Sequence, residues 1–212
     1  MHAHIPIDPA ARPARSRRPT EDRRAEIVAA LLRLIAEAGP SEVTTARIAA
    51  ELDLTQGAVF KHFPTKEAIR AAAMDWIADS LFAALESAVR GAPSPIDALR
   101  AVYLAHVGFV VAHPGVPALI FNELQQPADT PVKARVRDLL GRYRKLLLRL
   151  IEDARRDGDV AGDTDAAAAA TLFIGTVQGL MMQAMLTGSM RGIKPRAERV
   201  YRVWLRGIRS AS

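Results

Sequence analysis

The 212-residue chain is expected to fold as an all-α protein. Half of its residues are hydrophobic but only 5% are aromatic, so alanine and leucine carry most of the apolar content, and both favour helix. Apolar residues recur at three- and four-residue intervals inside segments separated by glycine and proline, and no strand-like alternation of any length interrupts them. No internal repeat of fixed period occurs. A chain of this length can bury one large core or two small ones.

Thr20 opens the first helix, and Glu21 and Asp22 in its first turn complement the positive end of the helix dipole. Ile27, Leu31, Leu34 and Ile35 form its apolar stripe, and Gly39-Pro40 ends it. From Val43 to Lys66 the sequence reads as two short helices joined by a tight turn and followed at once by a third. Val43, Ile48, Ala49 and Leu52 give the first of these an inward face, with Thr44 or Thr45 as its cap. After the turn Leu52-Asp53-Leu54, Thr55 opens the second, whose Ala58 and Val59 face back toward the first. Gln56, Gly57, Phe60 and Lys61 are left outward. A unit of this design lays its second helix in a major groove, where a glutamine amide can both donate to and accept from an adenine edge. Gly57 beside it lets the backbone come close, and the cap hydroxyl of Thr44 or Thr45 stands where a phosphate can approach.

Phe63-Pro64-Thr65 breaks the chain, and Thr65 caps a long helix from about Lys66 to Val89 carrying Ile69, Ala73, Trp76, Ile77, Leu81, Phe82 and Leu85. Ser94-Pro95 opens a fifth helix to about Ala112, and His113-Pro114-Gly115 ends it. A short apolar segment, Val116 to Gln125, precedes an amphipathic helix that starts after Pro127 to Pro131 and reaches Asp157. Asp163 or Thr164 caps the next, in which Ala166 to Met190 contains no charged residue. That stretch is long enough to cross a bilayer, but its alanines, threonines, glutamines and glycines make it weakly hydrophobic, so it is read as a buried helix and no membrane partner is expected. The last helix runs from about Pro195 to Ile208.

The pattern Thr44-Thr45, Ile48-Ala49, Leu54-Thr55-Gln56-Gly57, Phe60-Lys61-His62-Phe63 and Lys66 resembles the N-terminal domain of the tetracycline-repressor (TetR) family of bacterial transcriptional regulators, from Glu21 to about Leu81. The resemblance implies an all-helical homodimer with an N-terminal three-helix DNA-binding domain and a larger ligand-binding and dimerisation domain. Carried over by position, Thr45 and Arg47 lie at the start of the supporting helix, Gln56 and Gly57 at the bases, and Phe60, His62 and Lys66 along the DNA backbone. Two positions depart from the family pattern. Phe60 replaces a tyrosine and loses its hydroxyl, which is expected to weaken that phosphate contact. Asp53 replaces a turn glycine, and aspartate is one of the few other residues that tolerate a left-handed backbone. The domains expected are a flexible basic arm at 1–19, the helix-turn-helix domain at 20–65 and the effector and dimerisation domain at 66–212.

The formal charge of +6 suits a polyanion partner. Between residues 41 and 70, however, Arg47, Lys61, Lys66 and Arg70 are balanced by Glu42, Glu51, Asp53 and Glu67. The positive excess lies in the N-terminal segment and along the helices after Lys133 and Arg191. Arg12, Arg15, Arg17 and Arg18 either reach DNA as an arm does or form a solvated tail. The absence of cysteine removes disulfides, thiolate metal sites and thiol nucleophiles and fits a cytoplasmic location; the N-terminus lacks the apolar core of a secretory signal. No glycine-rich phosphate loop is present, and no cofactor is expected. His106, His113 and Glu123 could in principle hold a metal, but His106 is read as a pocket or core residue and His113 as a helix terminator, so no metal is expected. With no catalytic constellation, the chain is not expected to be an enzyme.

Tyr103, His106, Phe109, Phe121, Tyr143, Phe173 and Met181 are candidates for a small-molecule pocket, since aromatic and methionine side chains with a few polar tips are what such pockets use. Gly175 and Gly179, four residues apart, with Met182, Val200 and Trp204, are candidates for a four-helix dimer contact. The expected function is that of a repressor released from a palindromic double-stranded DNA operator by a small apolar or amphipathic effector. The rival is an effector-independent architectural or partner-binding protein of the same fold.

Overall fold

The computed structural model describes residues 20–210. In chain order, the helices among them are α1 (Thr20–Ala38), α2 (Thr45–Glu51), α3 (Gln56–His62), α4 (Lys66–Arg90), α5 (Pro95–Ala112), α6 (Gly115–Leu124), α7 (Pro131–Arg156), α8 (Ala166–Thr187) and α9 (Ile193–Ile208). The all-α expectation is met, with only an isolated antiparallel bridge between Val160 and Arg209 outside it. The segment expected as a basic arm, 1–19, lies outside the described residues.

Most helices begin where a side-chain oxygen can take a backbone N–H that the first turn leaves unpaired. Thr44, Thr55 and Thr65 accept from Arg47, Ala58 and Ala68, each at 3.1 Å, so Thr44 is the cap of α2. Ser94 and Thr130 cap α5 and α7, each followed by a proline whose missing N–H is not needed there. Two boundaries differ from expectation. Asp165, rather than Asp163 or Thr164, caps α8, its carboxylate accepting from both Ala167 and Ala168. α9 begins at Ile193, upstream of Pro195, because proline fits anywhere in a first turn whose N–H groups have no helical partner.

The turn between α2 and α3 closes on Asp53 at φ +52°, the only non-glycine in the left-handed region among the described residues. Leu54 donates to the carbonyl of Ala49 at 2.8 Å and Asp53 to that of Ala50 at 3.1 Å, the paired bonds that satisfy a helix end around a left-handed residue. The turn therefore survives the loss of glycine, as expected.

One continuous buried cluster runs from α1 through α9. α4 packs along α5, and α5 in turn touches α7, α8 and α9, making it the central helix of the larger part. α5 and α8 are both long and apolar enough to cross a membrane, but each lies against neighbouring helices. α1 joins the two ends of the molecule, because it packs on α2 and α3 on one side and on α4 and α6 on another. At its contact with α6 the backbones meet: a Cβ built on Gly115 would stand 2.1 Å from the Leu32 carbonyl oxygen. Only glycine fits.

α6 also carries a buried carboxylate. Glu123 is 3% exposed, receives the Thr130 hydroxyl at 2.8 Å and pairs with Arg70 of α4 at 3.4 Å. Removing one member of such a pair strands the other in a poorly solvated site. Glu123→Ala is expected to lower unfolding free energy by about 3 kcal/mol, measured by urea denaturation, and a double substitution with Arg70→Met is expected to recover much of that loss.

Candidate DNA interface and ligand cavity

α1 supports the α2–α3 unit through apolar and polar contacts. Ile27, Leu31, Leu34 and Ile35 meet Val43, Ile48, Ala49, Val59 and Phe63 in the buried cluster. Arg24 donates to the His62 carbonyl at 2.6 Å and stacks 4.1 Å over the Phe63 ring, so one guanidinium both satisfies the end of α3 and holds the break that follows it. Arg33 pairs with Glu51 at 3.2 Å across α1 and α2. Sequence reasoning missed both arginines, because their partners are 38 and 18 residues away and one is a backbone carbonyl.

Thr44, Arg47, Thr55, Gln56, Gly57, Phe60 and Lys61 are exposed, and Phe60 leaves 42% of its surface open despite being aromatic. His62 and Lys66 are half-buried, and His62 Nδ1 is enclosed without a partner. Burial and then repulsion from Arg70 hold the Lys66 ammonium below the ordinary lysine range, with Glu67 opposing. Thr45 is placed differently from the others: it is 9% exposed, and its hydroxyl receives the Gln56 amide at 2.8 Å. It orients Gln56 rather than lying open itself. The amide keeps its second N–H and its carbonyl oxygen, the two groups that match an adenine edge. A Cβ on Gly57 would meet nothing of the protein nearer than the Thr55 hydroxyl at 4.0 Å. The fold does not require glycine there.

A cavity of about 100 Å³ lies between α4, α5, α6, α7 and α8. His106, Phe109, Phe121, Tyr143 and Met181, all expected, line it together with Ile77, Leu81, Ile120, Leu124 and Gln178. Tyr103 and Phe173 do not. They are fully buried and form an aromatic cluster with Tyr201 and Trp204: Tyr103 meets Phe173 edge-on at 5.1 Å and Tyr201 at 5.3 Å, and Phe173 meets Trp204 at 5.0 Å. Helix periodicity assigned these residues to the interior but could not say which part of the interior was hollow. Tyr103 further shares a hydrogen bond with Thr176 at 3.1 Å, and Trp204 donates to the Ala169 carbonyl at 3.0 Å.

Trp204, expected at a dimer contact, is thus mainly a core residue that ties α9 to α8, with only an edge on the surface groove shared by Leu172, Val200 and Val203. Gly175 and Met182 are exposed, whereas Gly179 and Val200 are half-buried. Leu172 (60% exposed) and Val203 (70%) line the same groove, and Leu186 is exposed (80%) near the end of α8. His106, His113 and Glu123 do not converge: His113 stacks against Trp76 and Phe109, and Glu123 is held by Arg70 and Thr130. Among the described residues no cluster of three potential metal ligands forms.

Residues 27–73 match the family described as bacterial regulatory proteins, tetR family, and residues 124–201 match the tetracyclin repressor-like C-terminal domain. The chain belongs to the TetR family. It is a TetR-family DNA-binding regulator, and its family and fold are those of transcriptional regulators rather than enzymes. Nucleoid occlusion factor SlmA of Sodalis glossinidius is 23% identical over 168 residues, covering 78% of this chain and 84% of that protein. The fatty acid degradation regulator FadR of Bacillus halodurans shares the fold at a TM-score of 0.79 and 18% identity, over 93% of this chain and 100% of that one. The FadR of Bacillus subtilis, in complex with stearoyl-CoA, does so at 0.76 and 17%, over 87% and 98%.

Because Gly57 has open space around it, Gly57→Ala is expected to raise unfolding free energy by about 0.5 kcal/mol through helix propensity while weakening DNA binding at least tenfold. Denaturation and gel-shift titration on the same preparation measure the two opposite effects. In the cavity, burial lowers the His106 pKa from 6.5 to about 4. As pH falls through 6.5 the unfolded chain takes up a proton that the folded one refuses, so stability declines until about pH 4 and levels off below it. Between pH 7 and pH 4 this group alone is expected to remove roughly 3 kcal/mol, a component that His106→Phe abolishes in urea titrations at the two pH values.

Proposed function

We propose that the protein is a cytoplasmic homodimeric repressor whose helix-turn-helix domain, residues 20–65, binds a pseudo-palindromic operator, and whose domain from residue 66 onward releases it when a small apolar or amphipathic effector enters the α4–α8 cavity. One observation carries the reading. α6 contributes Ile120, Phe121 and Leu124 to the cavity, abuts the α1 backbone at Gly115, and grips α4 through Glu123 and Arg70. An effector that prefers a different α6 position therefore changes the support of α2 and α3. Two reading helices must stand about 34 Å apart to enter successive major grooves. The effector lowers operator affinity by its differential affinity for the two spacings and by no more.

In this reading Gln56, oriented by Thr45, meets base edges; Gly57 allows the approach; Thr44, Arg47, Thr55, Phe60, Lys61, His62 and Lys66 flank it on the DNA backbone. Footprinting on the DNA beside its own gene is the test, and absence of sequence-specific protection at moderate salt rejects the repressor. Gln56→Ala is expected to relax base preference with little change in salt dependence. Lys66→Ala is expected to weaken all sites alike and flatten the slope of log affinity against log salt by about one unit.

The homodimer is proposed on the α8–α9 surface. Leu172, Gly175, Gly179, Met182 and Leu186 recur at a heptad spacing along α8, with large residues at both ends and glycines between. A Cβ on Gly175 or Gly179 meets nothing within 4 Å in the protomer. Gly179→Leu is expected to leave helix content unchanged in circular dichroism and to convert the dimer to monomer in sedimentation velocity.

The relationship to SlmA favours a second reading, in which the protein binds DNA constitutively and serves nucleoid occlusion through a protein partner. Release of operator DNA by a small molecule separates the two.

A further inference from the structure

We propose that Thr45, on the supporting helix α2, sets which base is accepted under Gln56 on α3, selecting adenine against guanine. The inference rests on Gln56 meeting base edges and names both the base and the residue that makes the choice. Thr45 and Gln56 are the first residues of their helices. The threonine is 9% exposed, whereas the glutamine stands open on the outer face of α3. Gln56 Nε2 donates to the Thr45 hydroxyl at 2.8 Å, and the glutamine side chain has no other hydrogen-bond partner among the described residues. The neighbouring hydroxyls are committed elsewhere, since Thr44 accepts from the Arg47 N–H and Thr55 from the Ala58 N–H, each capping its own helix. Thr45 caps nothing. Its bond crosses from α2 to α3.

A free glutamine amide is ambidextrous. Its nitrogen carries two N–H donors and its oxygen accepts, and rotation about the last side-chain bond exchanges their places. Thr45 selects between the two arrangements, because here the nitrogen and not the oxygen is turned inward. One N–H is thereby held back, and one donor and one acceptor are left side by side toward solvent. In the major groove adenine is the single base that offers the complement, an N7 acceptor beside an N6 donor. Guanine offers two acceptors, O6 and N7, so one of them faces the glutamine oxygen and is repelled. Thymine and cytosine each present one hydrogen-bonding group there and leave half of the amide unpaired. Guanine is matched only when both N–H groups turn outward, which breaks the bond that Gln56 donates to Thr45. A residue that never enters the groove thus restricts what the reading residue can accept.

The test selects duplex DNA from a random-sequence pool with the full chain and with Gln56→Ala, Thr45→Val and Thr45→Ser. The half-site position that loses its preference in Gln56→Ala is the one under the amide. There the unmodified chain is expected to favour adenine over guanine by about tenfold, within the range of a good bidentate pair. Thr45→Val removes the hydroxyl and is expected to bring guanine within about threefold of adenine, with the slope of log affinity against log salt unchanged. Thr45→Ser restores a hydroxyl and is expected to restore the preference, which lost packing alone does not predict. Guanine favoured by the unmodified chain at that position overturns the inference, as does adenine preference retained in Thr45→Val or a pattern that Gln56→Ala leaves intact. A second measurement needs no variant and stands if Thr45→Val fails to fold. Replacing the selected adenine by 7-deazaadenine or by purine, which remove the N7 acceptor and the N6 donor in turn, is expected to weaken binding about fivefold each, and no change in either overturns the inference. A pool with no enriched sequence rejects the operator reading and the inference with it, whereas enrichment that Thr45→Val does not alter rejects the inference alone.

Discussion

Glu123 lies where α4, α6 and α7 converge, and the relation between the DNA-facing helices and the cavity depends on it. A carboxylate so enclosed persists only with its partners in place, so Arg70, four residues into α4 from Lys66, and Thr130, the cap of α7, are fixed relative to α6. The same helix presses its glycine against the α1 backbone, and α1 in turn holds α3 through Arg24. Apolar packing alone would tolerate sliding among these helices. The short polar contacts do not, and they convert a general hydrophobic cluster into a particular arrangement.

The glycines divide into two groups by what surrounds them. Gly115 is required by the fold, because the Leu32 carbonyl occupies the space of any side chain. Gly57, Gly175 and Gly179 have no protein atom near enough to require it. Glycine inside a helix costs about 1 kcal/mol relative to alanine, so each is an expense that the isolated protomer does not explain. Each also lies on a surface where a second macromolecule is proposed. The open glycines thus share one form: a local loss that contact with the proposed partner offsets.

The all-helical class and the order of the helices were legible in the sequence because spacing and caps are local signals. Thr55, Thr65 and Ser94 announce helix starts within a few residues, whereas the choice between Thr44 and Thr45 and the cap at Thr130 were settled only by the structure, and the left-handed turn at Asp53 followed from the family resemblance, in which a glycine stands there. Five of the seven pocket candidates line the cavity, since aromatic residues on inward faces are readily found. Tyr103 and Phe173 were indistinguishable from them, because periodicity reports which way a residue faces and not whether the space it faces is filled. Trp204 was assigned outward from α9 for the same reason, although its indole N–H had a carbonyl to reach on α8. Arg24, Gly115 and Glu123 act through partners remote in sequence, and no local pattern marks them.

The aromatic cluster of Tyr103, Phe173, Tyr201 and Trp204 ties α5, α8 and α9 together. α4 has 25 residues and, at about 1.5 Å per residue, is roughly 37 Å long, and it packs on α1, α5 and α7. Over that length a tilt of about 5° displaces one end relative to the other by roughly 3 Å. In the proposed dimer, two protomers tilting in opposite senses change the gap between their reading helices by twice as much, so the proposed effector has no need to push far.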